Sequence, residues 1–292
     1  MTKAIRDVVR RAVGIGGAIA LLYVLLCGFL WQFQTRLMFF PSAHLEATPA
    51  EIGLAYRDVW LDSGSGKDAG TVHSWWIPAG GESTSSKAPV VLYLHSNASN
   101  LGDLVNRAQR FHRWGYGIFL IDFRGYGHSS GPFPNEQRVY EDAEAAWTYL
   151  TQHQQCSAER IVVYGRSLGG AIALHLASQH PKAMGVIVES SFTSMKAMVA
   201  HTFSFLWIPV DGLLNQRFAS LTIVRSLPIP MLFIHGTADH VVPPAMSQAL
   251  YDGARFPKWL VWIDGASHTT VPKVGGRYYA DAIIEFVKRY AS

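Results

Sequence analysis

The segment VVYGRSLGGA at residues 162–171 places one serine between two glycines, where a β-forming run meets an apolar helical pattern. Three β-forming residues precede Gly165, and the helical pattern begins directly after Gly169. Glycines flank a serine in this way where the backbone turns sharply and a β-carbon would collide with the adjoining strand and helix. The spacing indicates a nucleophilic Ser167, although a glycine-rich strand-to-helix turn without chemistry gives the same pattern.

Two further residues suited to hydrolytic chemistry follow later β-forming runs. Asp239 comes after the apolar run 230–236, and His268 comes after the run 259–264. A serine hydroxyl becomes nucleophilic when a neutral imidazole takes its proton and a carboxylate orients that imidazole. The chain order serine, aspartate, histidine, each after its own strand, is the order of the α/β-hydrolase fold. We therefore predict a catalytic triad of Ser167, Asp239 and His268.

Other acids and imidazoles compete for these roles. Glu189 also ends an apolar run and is the alternative acid, but Asp239 is preferred because a turn follows its strand. His95 and His235 stand at strand ends, where histidines that only pack are typical. His240 adjoins the preferred acid and is expected to face solvent.

Acyl transfer also needs N–H groups that bind the developing oxyanion. Leu168, directly after the nucleophile, is expected to supply one, and Asn97, in the loop after the run 89–95, the other. The sequence contains no clustered histidine and cysteine ligands and no Gly-x-Gly-x-x-Gly after a strand. We therefore expect no metal and no other cofactor.

Beyond residue 55 the chain alternates β-forming and helical stretches. The β-forming runs are 55–61, 71–77, 89–95, 117–122, 161–165, 185–190, 230–236 and 259–264, and the helical stretches lie near 101–113, 136–154, 168–180, 244–254 and 277–290. The last six runs are almost wholly apolar, which is typical of parallel strands covered on both faces. The predicted fold class is α/β: an α/β-hydrolase fold, with a mostly parallel central sheet and helices on both faces, preceded by one transmembrane helix.

The N-terminal part reads as a membrane anchor. Residues 12–31 carry no charge and would form a helix about 30 Å long, the thickness of a bilayer's hydrocarbon core. We divide the chain into a basic cytoplasmic flank at 1–11, an anchor at 12–31 and a hydrolase domain at 32–292. The positive charge of the flank places the N-terminus in the cytoplasm and the domain on the non-cytoplasmic side, which is the periplasmic face in a bacterium. A cleaved signal peptide is the alternative.

Residues 191–229 form an insertion that the sheet does not require. Phe203, Phe205 and Trp207 could give it an apolar face, so we predict a lid that binds an acyl chain. The alternative is that these residues simply pack on the domain. The net charge of +4 comes without a basic and aromatic stripe, so no nucleic-acid partner is expected. The expected partners are an acyl substrate and the membrane, and the oligomeric state is not predicted.

Several motifs together resemble the membrane-anchored α/β hydrolases of the bud-emergence and ABHD type. They are QTRLMFFPS (34–42), HSNASNLGD (95–103), DFRGYGHSSGPFPNE (122–136), GRSLGG (165–170), SSFTS (190–194), HGTADHVVP (235–243) and GASH (265–268). The resemblance covers nearly the whole chain from about residue 30. It implies a serine hydrolase that acts on ester, thioester or amide bonds of lipids or acylated proteins, in which Asp122 and Arg124 organise loops.

Two other classes of function stay open at this stage. One is a peptidase of the serine aminopeptidase or prolyl type, for which Asp211 is the candidate anchor of a substrate amine. The other is a membrane-tethered binding protein that retains the fold without catalysis.

Overall fold

The computed structural model describes residues 3–80, 88–203 and 209–291. Its strands are β1 (Arg57–Ser63), β2 (Gly70–Ile77), β3 (Val90–Leu94), β4 (Gly117–Ile121), β5 (Ile161–Arg166), β6 (Gly185–Glu189), β7 (Met231–Gly236) and β8 (Lys258–Ile263). Each strand lies where the sequence predicts one, and the ends differ by no more than two residues. The apolar runs form strands because both of their faces can be buried under helices.

The strands form one sheet in the order β1-β2-β4-β3-β5-β6-β7-β8. β2 is antiparallel to β1 and to β4, whereas the strands from β3 to β8 pair in parallel. The predicted α/β-hydrolase fold with a mostly parallel sheet is confirmed. Because parallel strands end at one edge of a sheet, the loops after β3, β5, β7 and β8 meet there.

The helices are α1 (Lys3–Met38), α2 (Val105–Arg113), α3 (Glu136–Thr148), α4 (Leu168–Gln179), α5 (Met195–Thr202), α6 (Val210–Leu213), α7 (Ser220–Val224), α8 (Pro244–Gly253) and α9 (Val271–Tyr290). Short 3-10 turns lie at Pro49–Ile52, Gly66–Asp68, Leu101–Leu104 and Ala158–Arg160, and a π turn at Tyr149–His153 follows α3. α3, α4, α7 and α8 pack on one face of the sheet, and α2 and α9 pack on the other. Each face is therefore covered, as the apolar strands require.

α1 is one continuous helix of 36 residues, longer than the uncharged run 12–31. The stretch Ile5–Met38 is long and apolar enough to span a membrane, and its most apolar window is not buried by the rest of the chain. Its last turns reach the hydrolase domain. There the Gln34 side chain donates to the Leu213 carbonyl oxygen at 3.1 Å and accepts from the Asn215 N–H at 2.9 Å. α1 is therefore fixed to the domain at its C-terminal end.

Candidate active site

Ser167 is the single residue between β5 and α4. Its backbone has φ 54° and ψ −120°, a conformation that non-glycine residues rarely adopt and that costs about 1–3 kcal/mol. Hydrogen bonds on both sides hold it there. The Ser167 N–H donates to the Glu189 carbonyl oxygen at 2.8 Å, and the Ser191 hydroxyl donates to the Ser167 carbonyl oxygen at 2.8 Å. The predicted sharp strand-to-helix turn is present.

The two glycines of this turn are required by close backbone approaches. A β-carbon on Gly165 would lie 2.0 Å from the carbonyl oxygen of Gly169, and one on Gly169 would lie 2.1 Å from the carbonyl oxygen of Leu94. Both distances are far inside van der Waals contact. The Gly-x-Ser-x-Gly spacing therefore follows from the packing of α4 against β3 and β5.

The structure brings the three predicted triad residues into one hydrogen-bonded chain. His268 Nε2 lies 3.1 Å from Ser167 Oγ, and His268 Nδ1 lies 2.7 Å from Asp239 Oδ2. An ionised carboxylate only accepts hydrogen bonds, so Nδ1 carries the proton and the lone pair of the neutral ring is on Nε2. This arrangement leaves a proton acceptor in contact with the serine hydroxyl.

Asp239 is almost fully buried yet stays ionised. Burial raises the pKa of its carboxyl, but hydrogen bonds from His235, His268 and the Val242 backbone outweigh that effect and hold the pKa well below its usual range. Its Oδ1 accepts the N–H groups of Val241 and Val242, each at 2.9 Å. The carboxylate is therefore available at neutral pH to orient His268.

His235 is buried, as expected for a packing histidine, but sequence reasoning missed its contact with the acid. Its Nε2 lies 3.1 Å from Asp239 Oδ2 and 3.0 Å from the Val242 carbonyl oxygen, and its Nδ1 lies 2.6 Å from Ser247 Oγ. Asp239 thus sits between two imidazoles. The signal in the sequence was the four-residue spacing of His235 and Asp239 after one strand. His240 is exposed, as predicted.

The alternative acid, Glu189, takes part in a separate cluster of hydrogen bonds. Its carboxylate oxygens accept from both terminal nitrogens of Arg107, at 2.8 and 2.9 Å, and from the hydroxyls of Tyr164 and Tyr279. Burial raises the pKa of its carboxyl, but the Arg107 guanidinium lowers that pKa by more than burial raises it, and the result is a pKa of about 2. Arg166 links this cluster to the candidate site, because its Nη2 donates to the His268 carbonyl oxygen at 3.0 Å. Glu189 therefore contacts the candidate site only indirectly, through Arg166.

The two residues predicted to bind an oxyanion line the same cavity as Ser167. Leu168 begins α4, so its N–H lies in the first turn, where backbone donors have no partner within the helix. The Asn97 side chain donates to the Met38 carbonyl oxygen at 2.9 Å, and the Asn97 carbonyl oxygen accepts from the Phe40 N–H at 2.9 Å and the Tyr126 hydroxyl at 2.6 Å. The Asn97 side chain thus donates to the end of α1, and the backbone N–H of Asn97 is the group predicted to bind the oxyanion.

Asp122 and Arg124 have the loop-organising contacts that the resemblance implies. Asp122 Oδ1 accepts the Leu101 N–H at 2.9 Å, which ties the loop after β4 to the loop after β3. The buried Arg124 side chain donates from Nε to Asp142 Oδ1 at 2.6 Å. These contacts lie outside the hydrogen-bonded chain of Ser167.

A largely apolar cavity of about 740 Å³ opens at Ser167 and His268. Its wall comes from α1, the insertion, the start of α4 and the loops after β3, β7 and β8. It includes Leu26, Leu30, Leu37, Ser96, Asn97, Leu168, Phe192, Met195, Met198, Val199, Phe203, Val210, Leu213, Val242 and His268. Its volume lies within the range of about 300–1,000 Å³ that is usual for small-molecule sites. Within the described residues, no group of three or more His, Cys, Asp or Glu side chains could hold a metal ion.

The insertion at 191–229 divides into two parts. Phe203 lines the cavity, whereas Phe205 and Trp207 lie outside the described residues. Phe218 in the same insertion is fully buried, and its ring packs against Phe39 at a centroid distance of 6.3 Å. One part of the insertion therefore lines the cavity and another part packs on the domain.

An elbow serine after β5, an acid after β7 and a histidine after β8 of this sheet define the class of α/β hydrolases. Residues 85–226 match the serine aminopeptidase S33 family. The chain is 33% identical to protein bem46 of Schizosaccharomyces pombe over 232 residues, which cover 77% of this chain and 76% of that protein. It is 32% identical to an uncharacterized protein of Mycobacterium tuberculosis over 281 residues, which cover 96% of both chains. The chain belongs to the bem46-like family of α/β hydrolases.

The solved structures agree on the fold. An esterase of Pyrococcus furiosus superposes with a TM-score of 0.68 and 20% sequence identity, and the match covers 87% of this chain and 99% of that chain. At this identity the likeness shows the fold alone.

Proposed function

We propose that the protein is a serine hydrolase that cleaves acyl esters through a covalent acyl-enzyme. The observation that carries the proposal is the hydrogen-bonded chain from Ser167 through His268 to Asp239, of which Ser167 and His268 line a largely apolar cavity. A nucleophile, a base and an orienting carboxylate in this geometry have the roles needed for acyl transfer.

In the proposed mechanism, Ser167 Oγ attacks the ester carbonyl carbon while His268 Nε2 takes the hydroxyl proton. The N–H groups of Leu168 and Asn97 bind the resulting oxyanion. His268 then gives its proton to the leaving alcohol, and the bond between the carbonyl carbon and the alcohol oxygen breaks. A water molecule repeats the sequence on the acyl-enzyme, with His268 again as the base, and releases the carboxylic acid and free Ser167. Asp239 orients the imidazole throughout.

The cavity wall supports an acyl substrate. Met195, Met198 and Phe203 provide apolar side chains on one side, and unbranched methionine side chains adapt to a flexible chain. Each methylene buried there is worth up to about 0.8 kcal/mol, or about fourfold in kcat/KM. We therefore expect the kcat/KM for p-nitrophenyl esters to rise from acetate to octanoate.

The peptidase alternative is less well supported. Asp211, the candidate anchor for a substrate amine, already pairs with Lys196 at 2.5 Å, and its side chain is 80% exposed. A substrate ammonium would have to displace Lys196 and would gain little at such an exposed site. The match to the serine aminopeptidase family favours the fold and the elbow serine, which esterases share.

The decisive experiment combines covalent labelling with turnover. A fluorophosphonate probe should label the full chain, and Ser167→Ala should abolish both labelling and ester hydrolysis. Ser226→Ala is the matched control, because this exposed hydroxyl donates to the carbonyl oxygen of Ile223 in its own turn, away from the candidate site. Labelling that persists in Ser167→Ala would refute the nucleophile. An unlabelled wild-type protein would favour the non-catalytic binding function.

We further propose that residues 12–31 cross the membrane once, with 1–11 in the cytoplasm and the hydrolase domain of 32–292 on the other side. The support is the exposed apolar surface of α1 and the basic residues before it. The protein should remain in the membrane after carbonate washing, and protease added from the non-cytoplasmic side should digest the domain. Release by carbonate, or digestion from the cytoplasmic side alone, would reject this topology.

A further inference from the structure

α1 contributes one face of its last three turns to the wall of the cavity. The lining residues of α1 are Leu26, Leu30, Gln34, Leu37 and Met38. Their spacing of three to four residues places them along one side of the helix, since each residue advances by about 100°. Leu26 and Leu30 belong to the uncharged run 12–31. The cavity that begins at Ser167 therefore extends alongside the segment that is apolar enough to cross a membrane.

α5 and α6 also contribute residues to the wall of the cavity. These residues include Met198 and Val199 of α5, and Val210 and Leu213 of α6. Leu26 lies five residues before the end of the uncharged run, which corresponds to about 7.5 Å along the helix axis. With the run 12–31 in the bilayer, the far end of the cavity lies at the depth of lipid acyl chains. A passage between α1 and α5 would then connect the hydrocarbon layer with Ser167.

Hydrogen bonds fix the position of α1 against the domain. Gln34 is buried and makes two hydrogen bonds at the C-terminal end of α6, one to Leu213, the last residue of that helix, and one to Asn215 just after it. Four residues later, the Met38 carbonyl oxygen accepts the Asn97 side-chain N–H. Gln34 is the polar side chain on the cavity-lining face, and it fastens this face to the domain. α1 therefore forms a fixed wall of the site as well as an anchor.

The charge of the cavity selects among bilayer components. Its three ionisable side chains, Asp103, Arg166 and His268, are each engaged by the protein. Asp103 accepts from Ser99 Oγ and the Asn100 N–H, and Arg166 donates to the His268 carbonyl oxygen. An anionic headgroup or an ionised peptide would find no unengaged counter-ion among the described wall residues. A neutral ester avoids that desolvation cost.

We propose that the site takes a neutral, glyceride-like ester directly from the bilayer, and that its acyl chain lies between α1 and α5 while Ser167 attacks the carbonyl. This inference rests on the proposed serine hydrolase function. The net reaction consumes one ester and one water and gives one carboxylic acid and one alcohol. The acyl carbon–oxygen bond of the ester breaks, and the leaving alcohol receives its proton from His268. The alcohol and the acid can both return to the membrane surface by the same passage.

The test uses the full chain in phosphatidylcholine vesicles that contain monooleoylglycerol, with soluble p-nitrophenyl acetate as the second substrate. Leu30→Trp places a bulky ring in the passage and should lower the turnover of monooleoylglycerol at least tenfold more than it lowers the turnover of p-nitrophenyl acetate. The matched control is Leu25→Trp, which lies about 140° around the same helix and should change neither rate by more than twofold. Leu25 is exposed and is not part of the cavity wall.

A second variant tests the same inference in case the first variant fails to fold. Leu26→Trp fills the far end of the passage and should lower the turnover of monooleoylglycerol at least fivefold but leave monooctanoylglycerol within twofold. Near wild-type turnover of monooleoylglycerol by both variants would overturn the inference. Faster hydrolysis of a vesicle-bound S-acylated peptide, or of the phosphatidylcholine itself, would overturn the neutral-ester assignment. If the wild-type chain hydrolyses neither soluble nor embedded esters through Ser167, the proposed function itself fails.

Discussion

Replacing Glu189 by glutamine removes one negative charge from a fully buried position. Its carboxylate lies 2.8 Å from Arg107 Nη2 and 3.5 Å from Arg166 Nε, and it accepts the Tyr279 hydroxyl at 3.1 Å. Glutamine keeps the shape of the side chain but turns one acceptor into a donor that faces guanidinium donors. We therefore expect Glu189→Gln to lower the free energy of unfolding much more than it lowers the rate of the folded enzyme.

The pKa of Glu189 sets the size of this effect. Burial raises that pKa, the Arg107 guanidinium lowers it more, and it lies at about 2 against an ordinary value of 4.5. At about 1.4 kcal/mol for each pH unit, the ionised group contributes about 3 kcal/mol at neutral pH. Breaking a buried ion pair commonly costs about 3–5 kcal/mol. For a chain of this size, the Tm should fall by about 6–20 °C.

The assay is thermal unfolding of the full chain in detergent, followed by tryptophan fluorescence. Glu144→Gln is the matched control, because Glu144 pairs with His180 at 2.8 Å but its side chain is 47% exposed. That surface pair should contribute less than about 1 kcal/mol. Because the pKa of Glu189 is depressed, its contribution is complete above about pH 4.5 and is lost as the pH falls through about 2. The Tm difference between wild type and Glu189→Gln should shrink over that interval.

Two results would refute this reasoning. A Glu189→Gln protein whose Tm stays within 2 °C of wild type, a limit set as roughly 1 kcal/mol, would mean that the ion pair does not stabilise the fold. An unchanged Tm together with a loss in kcat on the order of 10⁴-fold would make Glu189 the acid that orients the base.

The other predictions concern the acid, its second imidazole and the elbow. Asp239→Asn should lower kcat about 10⁴-fold, less than Ser167→Ala, as measured by ester turnover. His235→Gln should lower kcat about tenfold, since Asp239 loses one of its two imidazole contacts, and a rate equal to wild type would contradict that role. Gly169→Ala should cost about 3 kcal/mol or more in urea unfolding because its β-carbon would meet the Leu94 carbonyl oxygen. Gly212→Ala is its control, because its β-carbon would meet none of the described residues within 4 Å.

The sequence was sufficient for those features that depend on short stretches of chain. The strands are recoverable because a run that is apolar on both faces can be buried only between helices. The elbow is recoverable because Gly165 and Gly169 flank Ser167 at a fixed spacing, and the triad order follows from which strand each residue succeeds. The ends of the helices were harder to predict from the sequence. α1 runs from Lys3 to Met38, beyond the run 12–31, because hydropathy marks the apolar part of a helix and not the extent of its hydrogen bonds.

The sequence favours Asp239 over Glu189, but only the tertiary structure shows why Glu189 does not meet His268. Glu189 ends β6 and Asp239 follows β7, and nothing local to either one shows that Arg107, 82 residues away from Glu189 in sequence, pairs with Glu189. The second imidazole on Asp239 and the cavity wall formed by α1 are likewise contacts made by packing. The sequence predicts α1 as an apolar helix, but which of its faces meets the domain depends on the hydrogen bonds that Gln34 makes with Leu213, at the end of α6, and with Asn215. Local patterns determine the elements, whereas contacts between distant residues exist only once those elements are packed.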